Sequence, residues 1–537
     1  MAEKEITIEV KKPEVIILLI FLGFVLFIQL KVSFENPIVF GDEAFYARFA
    51  ELIAENKDYP KWWPVHYTNM DKTGNSGNNL WILTIAGFLL FGLGETAIRF
   101  LPPFITFLIG LATFILAKRM YNEKVGFIAS VITVTIPAMV TYSVLVYTDV
   151  LATLFVLMSF LTFFLAEKED KKVFWIASGI FGALAFLTKK TGFTAYIFLG
   201  LFLFYKIFKE KNLLKVFKRY SLLIAVLILL PATHFLRNFY YYKTPVCDIP
   251  YISNFFDTSG CSIHDFPNKY DFEESIVREG TAKSMYEIGL MSYLNFAYGE
   301  IWFVPFSLCC GFFVLFSFRK KTSDTLILLV LLVSLIVFYM YGHGRAEDIN
   351  RYTLTWAPYI ALLSGMWFAS VYEFIKKYQK YLALIVIIFV LFMSYQNLII
   401  KSEVMASVKQ FSPAFFEACD WVKENLPENV TLTLIWGHRA VYNCKRNAIG
   451  HSADIYLSRD TNYTKEVARQ TGITHIFVQK FSIGQTPLGE RYGIESVRFF
   501  EEHPETFKKV FENGPPLEQC LQQGGCDGNI IYEIQLD

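Results

Sequence analysis

Two carboxylates, Asp42 and Glu43, follow the first hydrophobic segment within the step Phe40-Gly41-Asp42-Glu43. A carboxylate can take a proton from an attacking hydroxyl, and one at the edge of a bilayer is costly enough to be there for a reason. A third, Asp149, ends the short turn Tyr147-Thr148-Asp149 between two apolar stretches. Its competing account is a helix cap, because Thr or Asp at the start of a helix satisfies free backbone N–H groups. Cations occupy similar places: Lys189-Lys190 in the turn Thr188-Lys189-Lys190-Thr191-Gly192, and Arg345 and Arg351-Tyr352 within residues 342–352. Snorkelling accounts for a cation beside a membrane. Lys189-Lys190, however, fall on the side where basic residues are disfavoured, which points to a bound anion. A membrane-embedded anion with an outward-facing head is most simply a lipid phosphate.

The elements that hold these residues must be membrane spans. The chain has 537 residues, 54% of them hydrophobic and 17% aromatic, far more apolar than a soluble domain. A net charge of +1 excludes the footprint of a nucleic-acid binder or a strongly acidic partner surface. Apolar segments long enough to cross about 30 Å of hydrocarbon predict spans over 15–32, 100–117, 125–146, 150–166, 173–187, 193–208, 220–236, 301–318, 325–342, 353–371 and 381–399. No small-residue cleavage site follows the first, so it reads as a retained anchor.

The stretch 80–91 is too short to cross and reads as an interfacial helix. On that reading Lys118-Arg119, Lys168, Lys171, Lys172, the run 209–219, Arg319-Lys320-Lys321, Lys376, Lys377 and Lys380 share a compartment with Lys11-Lys12. This is the distribution that the positive-inside rule expects. The amino terminus is then cytoplasmic, and the tail after Lys401 is extracytoplasmic. The loops 33–99 and 237–300 face outward as well; the first carries His66, Asp71-Lys72 and the polar run 74–79.

Cysteines and sequons agree with that sidedness. Six of the eight cysteines fall in outside segments as local pairs, Cys247 with Cys261, Cys419 with Cys444 and Cys520 with Cys526. They predict three disulfides, with Cys309-Cys310 left as thiols in a span. A zinc site at Cys520 and Cys526 is the alternative, but no further ligands stand at metal spacing. Both Asn-x-Thr sequons, at Asn429 and Asn462, lie in the outside tail.

The order of these motifs resembles the GT-C fold polyprenyl-phosphate-sugar glycosyltransferases, closest to the protein O-mannosyltransferase and lipid A aminoarabinose transferase group. The resemblance rests on Gly41-Asp42-Glu43-Ala44-Phe45-Tyr46, Asp71-Lys72 before an apolar helix, and Gly92-Leu93-Gly94-Glu95-Thr96-Ala97-Ile98-Arg99. It continues through Tyr147-Thr148-Asp149-Val150-Leu151 and Leu187-Thr188-Lys189-Lys190-Thr191-Gly192. It covers residues 15–200 well and 330–360 loosely.

The resemblance implies an inverting transfer of a sugar from a polyprenyl or dolichyl phosphate to an acceptor on the outer side. It makes Asp42 the general base, Glu43 its helper or a holder of the acceptor, and Asp149 either an orienting group for the acceptor or, with Asp42, a ligand of a divalent ion such as Mg or Mn. The family divides on metal use, so the cofactor stays open between none and that ion. Lys72, Lys189, Lys190, Arg345 and Arg351 are implied for the donor phosphate. Asp71, His66 and Tyr352 are implied for substrate binding. The Trp-Trp-Asp-Tyr-Gly signature of oligosaccharyltransferases is missing, since Trp62-Trp63 is followed by Pro64.

The expected architecture is a polytopic helical membrane domain over 1–400 and a small extracytoplasmic α/β domain over 401–537. Helices are predicted at 415–426, 464–471 and 497–511, and strands at 430–436, 474–479 and 529–535. The tail offers no catalytic set and reads as acceptor recognition, shielding of the site, or a stabilising appendage. Partners are the lipid-linked sugar, membrane lipid and a protein, lipid or glycan acceptor, with no nucleic acid. Two other classes remain. A transporter or flippase would bury charge at the midplane and show inverted repeats. A phosphoethanolamine-type transferase would need a metal-binding tail.

Overall fold

The computed structural model describes residues 13–35, 37–38, 42–59, 72–73, 80–245, 262–263, 309–315, 326–327, 329, 351, 354–409, 412–434, 437–450, 453–480, 494–523 and 526–536. Most of the expected spans 301–318 and 325–342, and most of the loop 237–300, lie outside them. Each of the other expected spans is a helix. They are α1 (Pro13–Glu35), α4 (Gly94–Met120), the pair α5 (Glu123–Thr135) and α6 (Pro137–Ser143), α7 (Asp149–Glu169), α8 (Lys172–Thr188), α9 (Thr194–Glu210), α10 (Leu213–Tyr242), α11 (Ala357–Lys376) and α12 (Lys380–Lys409). Among the described residues six helices are long and apolar enough to cross a membrane, or seven if the bent pair is one span. The chain is a multi-pass membrane protein.

The stretch 125–146 is two helices with a sharp bend between them, where its composition predicts a single span. Pro137 supplies no N–H and disfavours a helical conformation at the residue before it. Ile136 accordingly takes φ −55°, ψ 132°, and the chain bends by 60°. The break leaves the Thr135 carbonyl to a side chain, and the Asn397 amide of α12 donates to it.

Antiparallel packing of α7 on α8 is the contact that builds the site. The facing surfaces are small: Ser159 and Ser178 exchange hydrogen bonds to each other's carbonyls at 2.9 and 3.0 Å, and a Cβ at Gly182 would meet the Ser159 hydroxyl at 3.2 Å. Small residues let helices approach closely in a membrane. Because the pair is antiparallel, the start of α7 lies beside the end of α8, which brings Asp149 to Lys189. The turn after α8 is equally tight: a Cβ at Gly192 would lie 2.0 Å from the Ala185 carbonyl oxygen.

Two short helices cover this end of the bundle. α2 (Glu43–Asn56) buries Ala44, Phe45, Ala47, Phe49, Ala50 and Ile53. α3 (Leu80–Leu90) has 11 residues, about 16 Å at 1.5 Å per residue, roughly half the hydrocarbon thickness. It buries Trp81, Ile82, Ile85 and Ala86 and exposes Leu83 and Leu90, the division that a helix lying against the bundle needs. Between the expected loops, β1 (Lys72–Thr73) pairs antiparallel with β2 (Ser262–Ile263).

The tail forms a five-stranded sheet of β3 (Thr431–Leu434), β4 (Asn447–Gly450), β5 (His475–Gln479), β6 (Phe507–Asn513) and β7 (Asn529–Ile534), in the order β4-β3-β5-β7-β6. β3 runs parallel to β4 and β5, and β7 antiparallel to β5 and β6. Helix α13 (Pro413–Asn425), the short α14 (Gly437–Asn443) and helices Thr461–Thr471 and Ser496–Glu502 pack around it. The predicted helix over 497–511 is half wrong. It ends at Glu502, and the rest becomes the edge strand β6, where Phe507 enters the core while Lys508 and Lys509 stay exposed. Disulfides join Cys419 to Cys444 and Cys520 to Cys526 as expected, and Cys309 and Cys310 are thiols. Cys247 and Cys261 lie outside the described residues.

Candidate active site

Asp42 is the N-cap of α2, so its carboxylate stands where the helix meets the bundle. Its backbone N–H donates to the Tyr147 hydroxyl at 3.0 Å. Glu43, the next residue, turns inward and is fully buried, and its Oε1 accepts the Val146 N–H at 2.9 Å. The Trp81 indole N–H of α3 reaches the Val146 carbonyl at 3.4 Å. The turn that carries Tyr147, Thr148 and Asp149 is thus tied to both covering helices. Neither Thr148 nor Asp149 acts as a helix cap: Thr148 holds the N-cap position of α7 but makes no side-chain cap bond.

Four charges form a row of alternating sign. Arg351 Nη1 lies 3.0 Å from Asp42 Oδ2, and its Nε lies 3.6 Å from Asp149 Oδ2. Its guanidinium stacks over the Tyr147 ring with the centroid at 4.5 Å. Asp149 Oδ1 pairs with the Lys189 ammonium. The side chains differ in access: Asp149 is 1% exposed and Asp42 31%. Asp42 Oδ1 makes no hydrogen bond or ion pair among the described residues. Asp149 Oδ2 is buried and has no hydrogen-bond partner among them, only the Arg351 ion pair.

Burial sets the electrostatics, and the neighbours modify it. Burial pulls the Arg351 guanidinium down, but Asp149 and Asp42 outweigh it and hold its pKa well above the ordinary arginine value. Lys189 is lowered, by burial first; Asp149 draws it back up and Arg351 pushes it further down. Burial and then Asp42 raise Tyr147 well above the ordinary phenol value. Arg439 of α14, with Tyr147 near it, is lowered by burial to about 10.

The structure therefore brings together Asp42, Asp149, Lys189 and Arg351, four of the residues singled out by sequence. Glu43 serves the backbone of the neighbouring turn from a buried position. Lys190 opens the 3-10 turn Lys190–Phe193 and is partly exposed. Lys72 is described only as a strand residue opposite Ile263. Asp71, His66, Arg345 and Tyr352 lie outside the described residues. The contributions of Tyr147, Trp81 and Arg439 escape sequence reading. The one signal for them was the tyrosine beside Thr148-Asp149.

A divalent ion shared by Asp42 and Asp149 does not fit these residues. The Arg351 guanidinium already stands between the two carboxylates. Among the described residues no group of three His, Cys, Asp or Glu side chains is placed to hold an ion.

Residues 79–235 match the dolichyl-phosphate-mannose-protein mannosyltransferase family. No curated protein matches the chain. Among solved structures, ArnT from Cupriavidus metallidurans bound to undecaprenyl phosphate is similar at TM-score 0.62 and 11% identity, over 96% of this chain and 97% of that one. The oligosaccharyltransferase AglB from Archaeoglobus fulgidus, in complex with an inhibitory peptide and a dolichol-phosphate, is similar at TM-score 0.62 and 14% identity, over 93% of this chain and 73% of that one. The chain has the GT-C fold of the polyprenyl-phosphate-sugar transferases, a glycosyltransferase-like membrane bundle with a small C-terminal sheet domain.

Proposed function

We propose that this chain is an integral membrane glycosyltransferase that moves a hexosyl or pentosyl group from a polyprenyl or dolichyl phosphate to an acceptor nucleophile on the extracytoplasmic side. The observation that carries the reading is the row Asp42, Arg351, Asp149 and Lys189, with a half-exposed carboxylate at one end and a lysine at the other. The acceptor oxygen attacks the anomeric carbon and forms the new C–O bond as the bond to the phosphate oxygen breaks. The Asp42 carboxylate takes the acceptor proton, the electron pair leaves with the lipid phosphate, and the anomeric carbon inverts. Lys189 and Arg351 hold the charge that develops on the leaving phosphate. Asp149 orients both cations, and its buried Oδ2 and the Thr148 hydroxyl offer polar contacts to the bound sugar or acceptor.

The polyprenyl phosphates held by the two similar structures support a lipid-phosphate donor, and the family match favours a mannosyl-type sugar. Residues 1–400 carry the reaction on this reading, and residues 401–537 face the acceptor side.

The test is transfer by membranes containing the wild type or Asp42→Asn, with radiolabelled dolichyl-phosphate sugars and a panel of protein, lipid and glycan acceptors. Loss of the base is expected to lower the rate by roughly 10²- to 10⁴-fold. Undiminished transfer by Asp42→Asn removes the assigned base, and no transfer by the wild type from any donor removes the reaction.

A further inference from the structure

The sheet domain reaches the site through one short helix. α14 lies on α2, and the residues at its end bond to the chain on both sides of Asp42. The Asn443 amide donates to the Ile38 carbonyl at 3.4 Å, on the approach to Asp42. Lys445 holds the Glu51 carboxylate at 2.7 and 2.9 Å, on α2 itself. The Tyr442 hydroxyl donates to Glu95 Oε2 at 3.0 Å, at the start of α4. Glu95 in turn pairs with Arg99, whose Nη1 donates to the Ser33 carbonyl near the end of α1 at 2.7 Å.

α14 is in turn fixed to its own domain. Cys444, directly after it, is bonded to Cys419 of α13. The Arg446 guanidinium binds the carbonyls of Val422, Lys423 and Leu426 at the end of α13, at 3.3, 3.0 and 2.6 Å. A rigid support therefore meets the chain at Ile38 before Asp42, along α2, and at the start of α4. The exposed Lys445–Glu51 pair is screened by solvent and contributes least. Tyr442 is 7% exposed, and its bond, with that of Asn443, carries more.

We infer that α14 is a positioning element for the carboxylate at the head of α2: Asn443 holds the Ile38 carbonyl on the approach to Asp42, and Tyr442 ties α14 to Glu95 and, through Arg99, to the end of α1. The sheet domain is then part of the reaction apparatus, whatever it does for acceptors. The inference rests on the assignment of Asp42 as the base. A displacement of about 1 Å at such a group costs on the order of 10²-fold in rate, so loosening the loop should lower kcat and leave donor binding by Lys189 and Arg351 in place.

The experiment uses the full chain in membranes or detergent, with two readouts on Asn443→Ala, Asn443→Gln and Tyr442→Phe. Hydrogen exchange of the α2 amides does not depend on any reaction. Initial rates at varied dolichyl-phosphate mannose separate kcat from KM. Asn443→Ala and Tyr442→Phe are expected to speed α2 exchange while β5 and β7 stay protected. They should lower kcat about tenfold or more with donor KM little changed, and Asn443→Gln, which keeps an amide donor, should recover part of the loss. Wild-type exchange in α2 together with wild-type kcat overturns the inference. If Asn443→Ala also loses sheet protection, Tyr442→Phe, which removes a single oxygen, decides. If the wild type transfers nothing, the general reading has failed, and α2 exchange alone still decides whether α14 holds the loop.

Discussion

Arg351 is the residue on which the other charges depend. Asp149 is almost wholly buried, and a carboxylate in that position is tolerable only while its partners remain. Its second partner, Lys189, has a pKa lowered from the ordinary 10.5, by burial first, with Asp149 opposing and Arg351 adding to it. As pH rises, Lys189 loses its proton before an exposed lysine would. Between the folded and ordinary values the unfolded chain binds more protons, so the penalty this lysine places on the fold is full below its folded value and is relieved as pH rises. For transfer the sign is opposite, since the neutral amine no longer stabilises a leaving phosphate. The wild-type rate should decline on the alkaline side below the ordinary lysine range, while Lys189→Arg keeps its rate there. Superimposable alkaline limbs in the two pH–rate profiles would exclude Lys189 from that role.

At the scale of elements, a side chain from α12 satisfies a carbonyl at the break between α5 and α6. Asn397→Ala would leave the Thr135 carbonyl buried without its partner, a cost of about 1–3 kcal/mol. A lower Tm in detergent is expected, and an unchanged Tm would mean that the carbonyl has another partner. The membrane helices were legible in the sequence because apolar runs of spanning length leave few alternatives. The four charges that the structure gathers stand out in the sequence because carboxylates beside apolar segments, and cations on the side where basic residues are disfavoured, break the expected charge pattern. The bend at Pro137 was missed because hydropathy averages over it, although the proline itself was the cue. β6 was read as helix because its apolar residues also fit a helical period. Glu43 facing inward, and α14 meeting α2, depend on tertiary packing between segments far apart in sequence, to which no local pattern points.

At the scale of the molecule, sidedness and mechanism stand or fall together. The proposed orientation places the sheet domain outside, so protease added to sealed vesicles should cut it only from the extracytoplasmic face. Cleavage from the cytoplasmic face alone would remove the site assignment with it, because α14 carries the sheet domain to the same membrane edge as Asp42. The row of alternating charges has one more consequence. Its signs cancel, so the row itself presents no net charge to anions in solution. On the proposed reading the donor arrives by sideways diffusion in the lipid layer, and its headgroup meets Lys189 while Asp149 still orients it. Admission means reaching a cation that is already paired, and a small soluble anion, with no hydrocarbon tail to keep it waiting at the threshold, is poorly equipped to compete for it.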